Sequence, residues 1–545
     1  MPALMSCTNT MGLRGRKLRW TITAISVIGF SLFGYDQGLM SGIITAQQFN
    51  DEFPATGGDS HRTTVIQGAV VSCYELGCFF GAVFTLFRGE KIGRRPLMLL
   101  GAVLMVIGAI ISVTPFKGHW ALGQFVVGRV VSGLGNGMNT ATIPVWQSEM
   151  SKPKNRGLLV NLEGTFIAVG TLWAYWIVFG TSYAQTSVQW RFPIAFQIVF
   201  AFVIFAGAFF LPESPRWLIA QGRSDEAKQV LFALEGDAAN KEEIESEAKV
   251  IRDTIDKTGG QGGLSELFTN GKTQHFRRML IGASTQFFQQ FTGCNAAIYY
   301  STVLFQTSLN QPRRLSLVLG GVFATVYALS TIPSFFTIEK LGRRKLFLIG
   351  ATGQGIAFTI TMACLAAPEN ENNAKGAAVG LYLFIFFFAW SVLQLPWVYP
   401  PEINPLRTRT AAVSVSTCTN WICNFAVVMF TPLFISSTRW GAYLFFALMN
   451  FLWIPIIYFF YPETAGRRLE EIDLIFAKAH IEHKPAYRVA KEMPKLSAAE
   501  IEAEAEKIGL FEPMLDTEAS ASTVDSTSSR SGDASDHASI ANNKA

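Results

Sequence analysis

Glu90-Lys91-Ile92-Gly93-Arg94-Arg95 returns, half a chain later, as Glu339-Lys340-Leu341-Gly342-Arg343-Arg344. Two more signatures keep the same spacing. Glu149 with Arg156 returns as Glu402 with Arg409, and Pro212-Glu213-Ser214-Pro215-Arg216 returns loosely as Pro462-Glu463-Thr464-Ala465-Gly466-Arg467. The sequence between them is almost all apolar. Polar punctuation duplicated on this scale, between long hydrophobic segments, is how a two-halved membrane transporter is written.

The composition supports this reading. Half of the 545 residues are hydrophobic, only 16% are charged, and there are 47 Gly and 45 Phe; Gly is more frequent in membrane helices than in soluble ones. A net charge of +5 is too small to indicate a nucleic-acid partner. Of the seven Cys, Cys73, Cys78, Cys294, Cys364, Cys418 and Cys423 sit inside apolar stretches. Their spacing fits neither a disulfide framework nor a metal site. The first apolar run, from about Trp20, is too long for a cleavable signal and lacks a small-residue cleavage site.

A spanning helix needs about 20 largely apolar residues. Twelve candidates satisfy this, near 20–44, 65–87, 96–114, 120–146, 157–180 and 191–211, then 278–304, 315–338, 346–366, 378–400, 411–434 and 440–461. The expected architecture is an all-α membrane protein: an N-terminal segment (1–19), a six-helix bundle (20–211), a helical linker (212–277), a second six-helix bundle (278–461) and a tail (462–545). The tail is amphipathic at first and, from about Asp516, too polar to fold. Basic residues near helix ends set orientation. Arg14, Arg16, Lys17 and Arg19, then Arg88, Lys91, Arg94 and Arg95, Lys152, Lys154 and Arg156, Lys340 to Lys345, and Arg407 with Arg409 fall on one side if the helices alternate. Arg313 and Arg314 dissent. Both termini, the linker and all duplicated signatures are therefore expected to be cytoplasmic. Acids among these cations exceed what topology requires. They mark charge clusters that lock helix ends: Glu90, Gly93, Arg94, Arg95, Glu149, Arg156, Glu213 and Arg216 in the first half, and Glu339, Gly342, Arg343, Arg344, Glu402, Arg409, Glu463 and Arg467 in the second.

Polar groups at bilayer depth are costly and are functional candidates by default. Gln286, Gln289, Gln290, Thr292 and Asn295 line the seventh segment, with positions 286, 290 and 293 on one helical face. Amides both donate and accept, which suits substrate hydroxyls; interhelical hydrogen bonding without a ligand is the alternative. Gln394, Trp397, Asn420 and Asn424 add to the set, and Pro396 is expected to break its helix. Asp36, Glu75 and Glu163 are deep acids, and Arg129 is a deep cation. A carboxylate poised between desolvation and a nearby guanidinium can take and release a proton. A permanent ion pair pinning two helices is the competing account. The glycines at 34, 38 and 42 and at 128, 133, 135 and 137 read as packing surfaces.

With these residues in view, the chain resembles the sugar-porter branch of the major facilitator superfamily over roughly residues 20–480. The stretches FGYDQGLMSG (33–42), SCYELGCF (72–79), IPVWQSEMSK (143–152), QFFQQFTGCNAAIYYSTVLF (286–305) and STCTNWICNFAVVMFTP (416–432) are most similar to fungal glycerol–proton symporters. The resemblance implies two six-helix bundles opened alternately to each side. It also implies hydroxyl-binding roles for Gln289, Gln290, Asn295 and Asn420, a Trp397 platform, and a proton pair at Asp36 and Arg129. Glu75 and Glu163 are weaker proton candidates. Where hexose carriers bind sugar through a Gln, this chain has Gly164, and where some members use an Asn it has Tyr327. Two hexose partners are thus missing, which points to a substrate with fewer hydroxyls. The expected activity is proton-driven import of glycerol or a similar small polyol across the fungal plasma membrane. The expected partners are polyol, protons and membrane lipid, with no cofactor and no covalent chemistry. A hexose symporter or facilitator is the main alternative, a nutrient sensor the next, and a membrane-bound enzyme the remotest.

Overall fold

The computed structural model describes residue 10 and residues 12–509, except 59, 117–119, 152–155, 237–239, 258–263, 308–309, 369, 406 and 497; Arg156 is described by its backbone alone. The expected breakdown of the tail beyond about 516 lies outside these residues. The described residues contain helices and no strand. In chain order the first half runs α1 (Gly15–Ile43), a short α2 (Gln47–Glu52), α3 (His61–Ile92), α4 (Arg94–Val113), α5 (Ala121–Met150), α6 (Arg156–Thr181) and α7 (Val188–Phe210). Three smaller helices follow, α8 (Pro215–Ala220), α9 (Ser224–Glu235) and α10 (Lys241–Lys257). The second half runs α11 (His275–Phe291), α12 (Cys294–Thr307), α13 (Arg313–Leu329), α14 (Ser334–Leu341), α15 (Arg343–Ala366), α16 (Glu371–Phe387), α17 (Leu395–Ile403), α18 (Arg409–Ser437) and α19 (Gly441–Phe460). Then come α20 (Leu469–Ile481) and α21 (Ala486–Glu492). Residues from Leu496 form a separate unit that contains α22 (Ala498–Lys507).

Twelve crossings result, six in each half. Three crossings of the second half are broken. Thr292 and Gly293 separate α11 from α12, and Gly293 has φ 92, a backbone conformation that favours glycine. The axis bends by 47° between α13 and α14. Residues Phe388–Val392 form a π-helical turn ahead of α17, where Pro396 occupies the first helical turn, as its missing N–H requires. The break expected at Pro396 thus arrives a turn early and is eased by π geometry.

Close backbone approach organises the first half. A Cβ added to Gly34 would lie 1.8 Å from the Ile167 carbonyl oxygen, so α1 and α6 touch backbone to backbone. Gly77 and Gly133 do the same between α3 and α5, at 2.3 Å from Val130 O and 2.1 Å from Tyr74 O. The two halves meet where α1 faces α12, α3 faces α18 and α6 faces α13. Ser41 donates to Thr302 at 3.1 Å, and Trp176 Nε1 donates to Thr325 at 3.2 Å.

Substitution tests this packing directly. Gly34→Val should abolish the monodisperse peak of detergent-solubilised protein in size-exclusion chromatography. Gly180→Ala, whose Cβ meets nothing within 4 Å, should leave it intact.

Candidate functional site

The duplicated signatures fold into matching devices, one per half. Gly93 (φ 99) and Gly342 (φ 86) turn the chain sharply between α3 and α4 and between α14 and α15. Each following helix starts with unpaired N–H groups. Glu213 accepts from the Arg95 N–H at 3.0 Å, and Glu463 accepts from the N–H groups of Arg343 at 2.8 Å and Arg344 at 3.2 Å. A carboxylate at a helix N-terminus satisfies both hydrogen bonding and dipole. Burial raises the Glu213 carboxyl from its ordinary range, while the Ser214 and Arg95 amides pull it down. Arg94 then bridges Glu90 at 3.0 Å and Glu149 at 3.1 Å, and Arg343 bridges Glu339 at 2.8 Å and Glu402 at 2.7 Å. Arg95 donates to the carbonyls of Ala208 and Phe209 at the end of α7, and Arg344 to Tyr458 at the end of α19. These clusters close within each half.

Three expected members behave otherwise. Arg467 donates to Ala490 and Met493 carbonyls and pairs with Glu471, so it fastens α20 to α21. Arg409 donates only to Asn404 O at 3.3 Å, and Arg216 stands near it across the two halves without a carboxylate partner among the described residues. The Arg156 side chain lies outside the described residues.

Deep between the halves, the break after Phe291 gathers a continuous seam of amides. Gln37 donates to Asn295 Oδ1 at 3.3 Å, Asn295 to Gln290 Oε1 at 2.6 Å, and Gln290 to Gln289 Oε1 at 3.3 Å. Asn420 donates to both Gln289 Oε1 (3.1 Å) and Gln286 Oε1 (2.7 Å). Gln289 donates onward to the carbonyls of Val392 and Leu393, which the π turn presents, and Gln286 to Pro396 O. Gln394 comes from the same break. Both its amide atoms are buried without a hydrogen-bond partner among the described residues, and a Cβ on Gly164 would meet its Cγ at 2.8 Å. The aliphatic stem of Gln394, from the other half, therefore packs directly against Gly164. Trp397 is half-buried on α17, and Tyr327 is buried on α13 against Phe388.

The acids divide among three environments. Asp36 is fully buried, 3.5 Å from Arg129, and accepts a 2.8 Å bond from the Tyr74 hydroxyl. Arg129 stacks over the Tyr74 ring at 4.5 Å, yet none of its N–H groups makes a hydrogen bond among the described residues. Glu75 is also fully buried, and both its oxygens accept from the opposite half: Oε1 from Tyr299 and Oε2 from Asn424 at 2.9 Å. Glu163 is buried with no hydrogen bond or ion pair among the described residues. Sequence reasoning missed Gln37, Tyr74 and Tyr299. Gln37 stands next to Asp36 and Tyr74 next to Glu75, so adjacency could have flagged those two, whereas Tyr299 has no such neighbour.

The sequence profile described as "Sugar (and other) transporter" matches residues 21–476. The chain is 60% identical over 94% of its length to "Sugar transporter STL1" of Saccharomyces cerevisiae, covering 91% of that protein. It is 57% identical over 92% of its length to "Major facilitator superfamily transporter mfsA" of Aspergillus fumigatus, covering 94% of it. The proton:xylose symporter XylE with bound 6-bromo-6-deoxy-D-glucose superposes with a TM-score of 0.71 at 25% identity, over 84% of this chain and 99% of XylE. The chain belongs to the sugar transporter family of the major facilitator superfamily, a family of multi-pass membrane transporters.

The charge clusters give a stability prediction. Arg343→Ala strands Glu402 and should cost about 3 kcal/mol, the low end for breaking a buried pair. It should lower the melting temperature well below that of Arg344→Ala, whose guanidinium contacts a carbonyl and two rings; both are read by fluorescence-detected thermal unfolding.

Proposed function

We propose that this sugar-family carrier is a proton-coupled symporter that imports glycerol, or a similarly small polyol, across the plasma membrane by alternating access. One observation carries the reading. A buried Asp36–Arg129 pair, with no hydrogen bond from the guanidinium among the described residues, lies in the same core as an amide seam to which α6 brings Gly164, packed against the Gln394 side chain. The seam offers amides that can exchange their mutual bonds for substrate hydroxyls at little net cost. With Gln394 beside Gly164, the room for a second ring of hydroxyls is reduced, which favours a three-carbon polyol over a hexose.

Asp36 is the proton carrier, and Arg129 changes its proton affinity between conformations. A guanidinium held at 3.5 Å with no hydrogen bond can shift away from its carboxylate without breaking a bidentate clamp. Glu75 joins the halves through Tyr299 and Asn424, so its charge state is tied to closure of the α3–α18 seam. The Arg94 and Arg343 clusters lie on the cytoplasmic side and hold helix ends together as the halves rock.

The deciding experiment measures radiolabelled glycerol uptake and external alkalinisation together in proteoliposomes. A proton signal that follows glycerol is expected. One pH unit stores about 1.4 kcal/mol per proton, enough for roughly tenfold accumulation. Downhill-only movement, indifferent to imposed acidity, sinks the reading, and glucose that competes fully with glycerol turns it toward hexose. Asp36→Asn should keep glycerol exchange but bring the accumulation ratio to one. Glu75→Gln keeps one oxygen as acceptor and presents an N–H to the Tyr299 hydroxyl, which can also accept, so it should keep exchange while flattening the pH dependence of uptake.

A further inference from the structure

We propose that the pocket beneath the last turn of α19 is a binding site for the headgroup of an anionic phospholipid. The pocket is a cavity of about 560 Å³ with two chemically opposite walls. One wall is Phe459 and Phe460, 52% and 48% exposed at the end of an apolar crossing helix, where only lipid chains would cover them. The other wall carries Arg277 from α11 and His480, His483, Lys484 and Arg488 from the α20–α21 turn.

The basic wall is held in place. Gln274 donates to Phe476 O at 2.8 Å and accepts from Arg277 at 3.0 Å, which ties the start of α11 to α20. His483 adopts φ 51, a left-handed turn that precedes Pro485 and the helix bearing Arg488. Tyr487 packs against Tyr458 and Phe459 at 6.0 and 6.3 Å, and Arg344 stands over both tyrosines at 4.8 and 5.3 Å. Lys484 is already neutralised by Glu482 at 2.9 Å and Glu492 at 3.6 Å. Arg277 and Arg488, by contrast, have no carboxylate within salt-bridge distance among the described residues; they bond only to Gln274 and the Tyr487 hydroxyl. Guanidinium groups suit phosphate and carboxylate, and basic pockets at the bilayer rim recognise anionic headgroups. A free phosphate has no use for the lipid-facing aromatic wall, whereas a phospholipid fills both walls at once.

The test uses the full chain in nanodiscs of phosphatidylcholine, with and without a minor fraction of phosphatidylserine. It is read by lipid adducts in native mass spectrometry and by melting temperature. Phosphatidylserine should be retained on the wild type and raise its melting temperature by several degrees. The double variant Arg277→Gln/Arg488→Gln should retain about tenfold less. Lys91→Gln, exposed at the same end of the bundle, should behave as wild type. Equal retention by the double variant, no preference over phosphatidylcholine, an equal loss in Lys91→Gln, or stabilisation reproduced by inorganic phosphate alone would each overturn the proposal. None of these readouts depends on which solute is carried or on proton coupling.

Discussion

One carboxylate in each half makes the architecture possible. Glu213 and Glu463 reach back across more than a hundred residues to cap the helix that begins at the Gly-Arg-Arg turn. A buried helix start leaves donors that no water can satisfy, and at a membrane surface that cost falls on the whole bundle. The capping geometry explains the glycine as well. A Cβ at Gly93 would sit 2.9 Å from Glu213 Oε2, and one at Gly342 would sit 2.4 Å from Glu463 Oε2. Once the cap fixes the turn, Arg94 and Arg343 are placed to bridge acids from two helices each. Their neighbours Arg95 and Arg344 are placed to satisfy the last carbonyls of α7 and α19. The signature is therefore a joint, repeated because each half needs one.

The core between those joints follows a different rule. Its polar groups are bonded mostly to one another and to backbone freed by broken helices. The carbonyls of Val392, Leu393 and Pro396 lie at the π turn and proline break, and Gln289 and Gln286 occupy them. Irregular backbone at bilayer depth is tolerated where it lines protein interior. Among the described residues, core atoms left without a hydrogen bond include the Gln394 amide, Gln37 Oε1, Asn424 Oδ1, Asp36 Oδ1 and the Arg129 guanidinium. A buried polar atom without a partner costs about 1–3 kcal/mol, so each of these atoms gains from a partner that reaches it.

The fold was legible because its signals are local or periodic. Apolar stretches about 20 residues long count the crossings, and Glu90 to Arg95 and Glu339 to Arg344 announce the duplication without any tertiary knowledge. The candidate site was legible as a set of residue types, since Gln289, Gln290, Asn295 and Asn420 are amides in apolar surroundings. Its wiring was not. That Glu75 bonds to Tyr299 and Asn424, or that Gln394 fills the space at Gly164, depends on residues hundreds of positions apart. Arg467 shows the opposite failure. Its place in the repeated signature suggested a gate, but the tail that follows it, with Ala490 and Met493 carbonyls in reach, captured the side chain instead.

Two of the three deep acids, Asp36 and Glu75, differ in where their partners come from. Asp36 is hydrogen-bonded to Tyr74 and ion-paired with Arg129, both within its own half, so its environment can survive separation of the bundles. Glu75 is bonded across the halves and loses both donors when α3 leaves α12 and α18. In the symport proposed above, a proton on Asp36 is thus a cargo, carried in either conformation. A proton on Glu75 would, in the same proposal, be a condition on the conformation itself. Tyr74 and Glu75 are consecutive on α3, so any shift of that helix is felt by both acids at once. Coupling between cargo and closure, as proposed, then requires no long chain of intermediates, only the rigidity of a single helical turn.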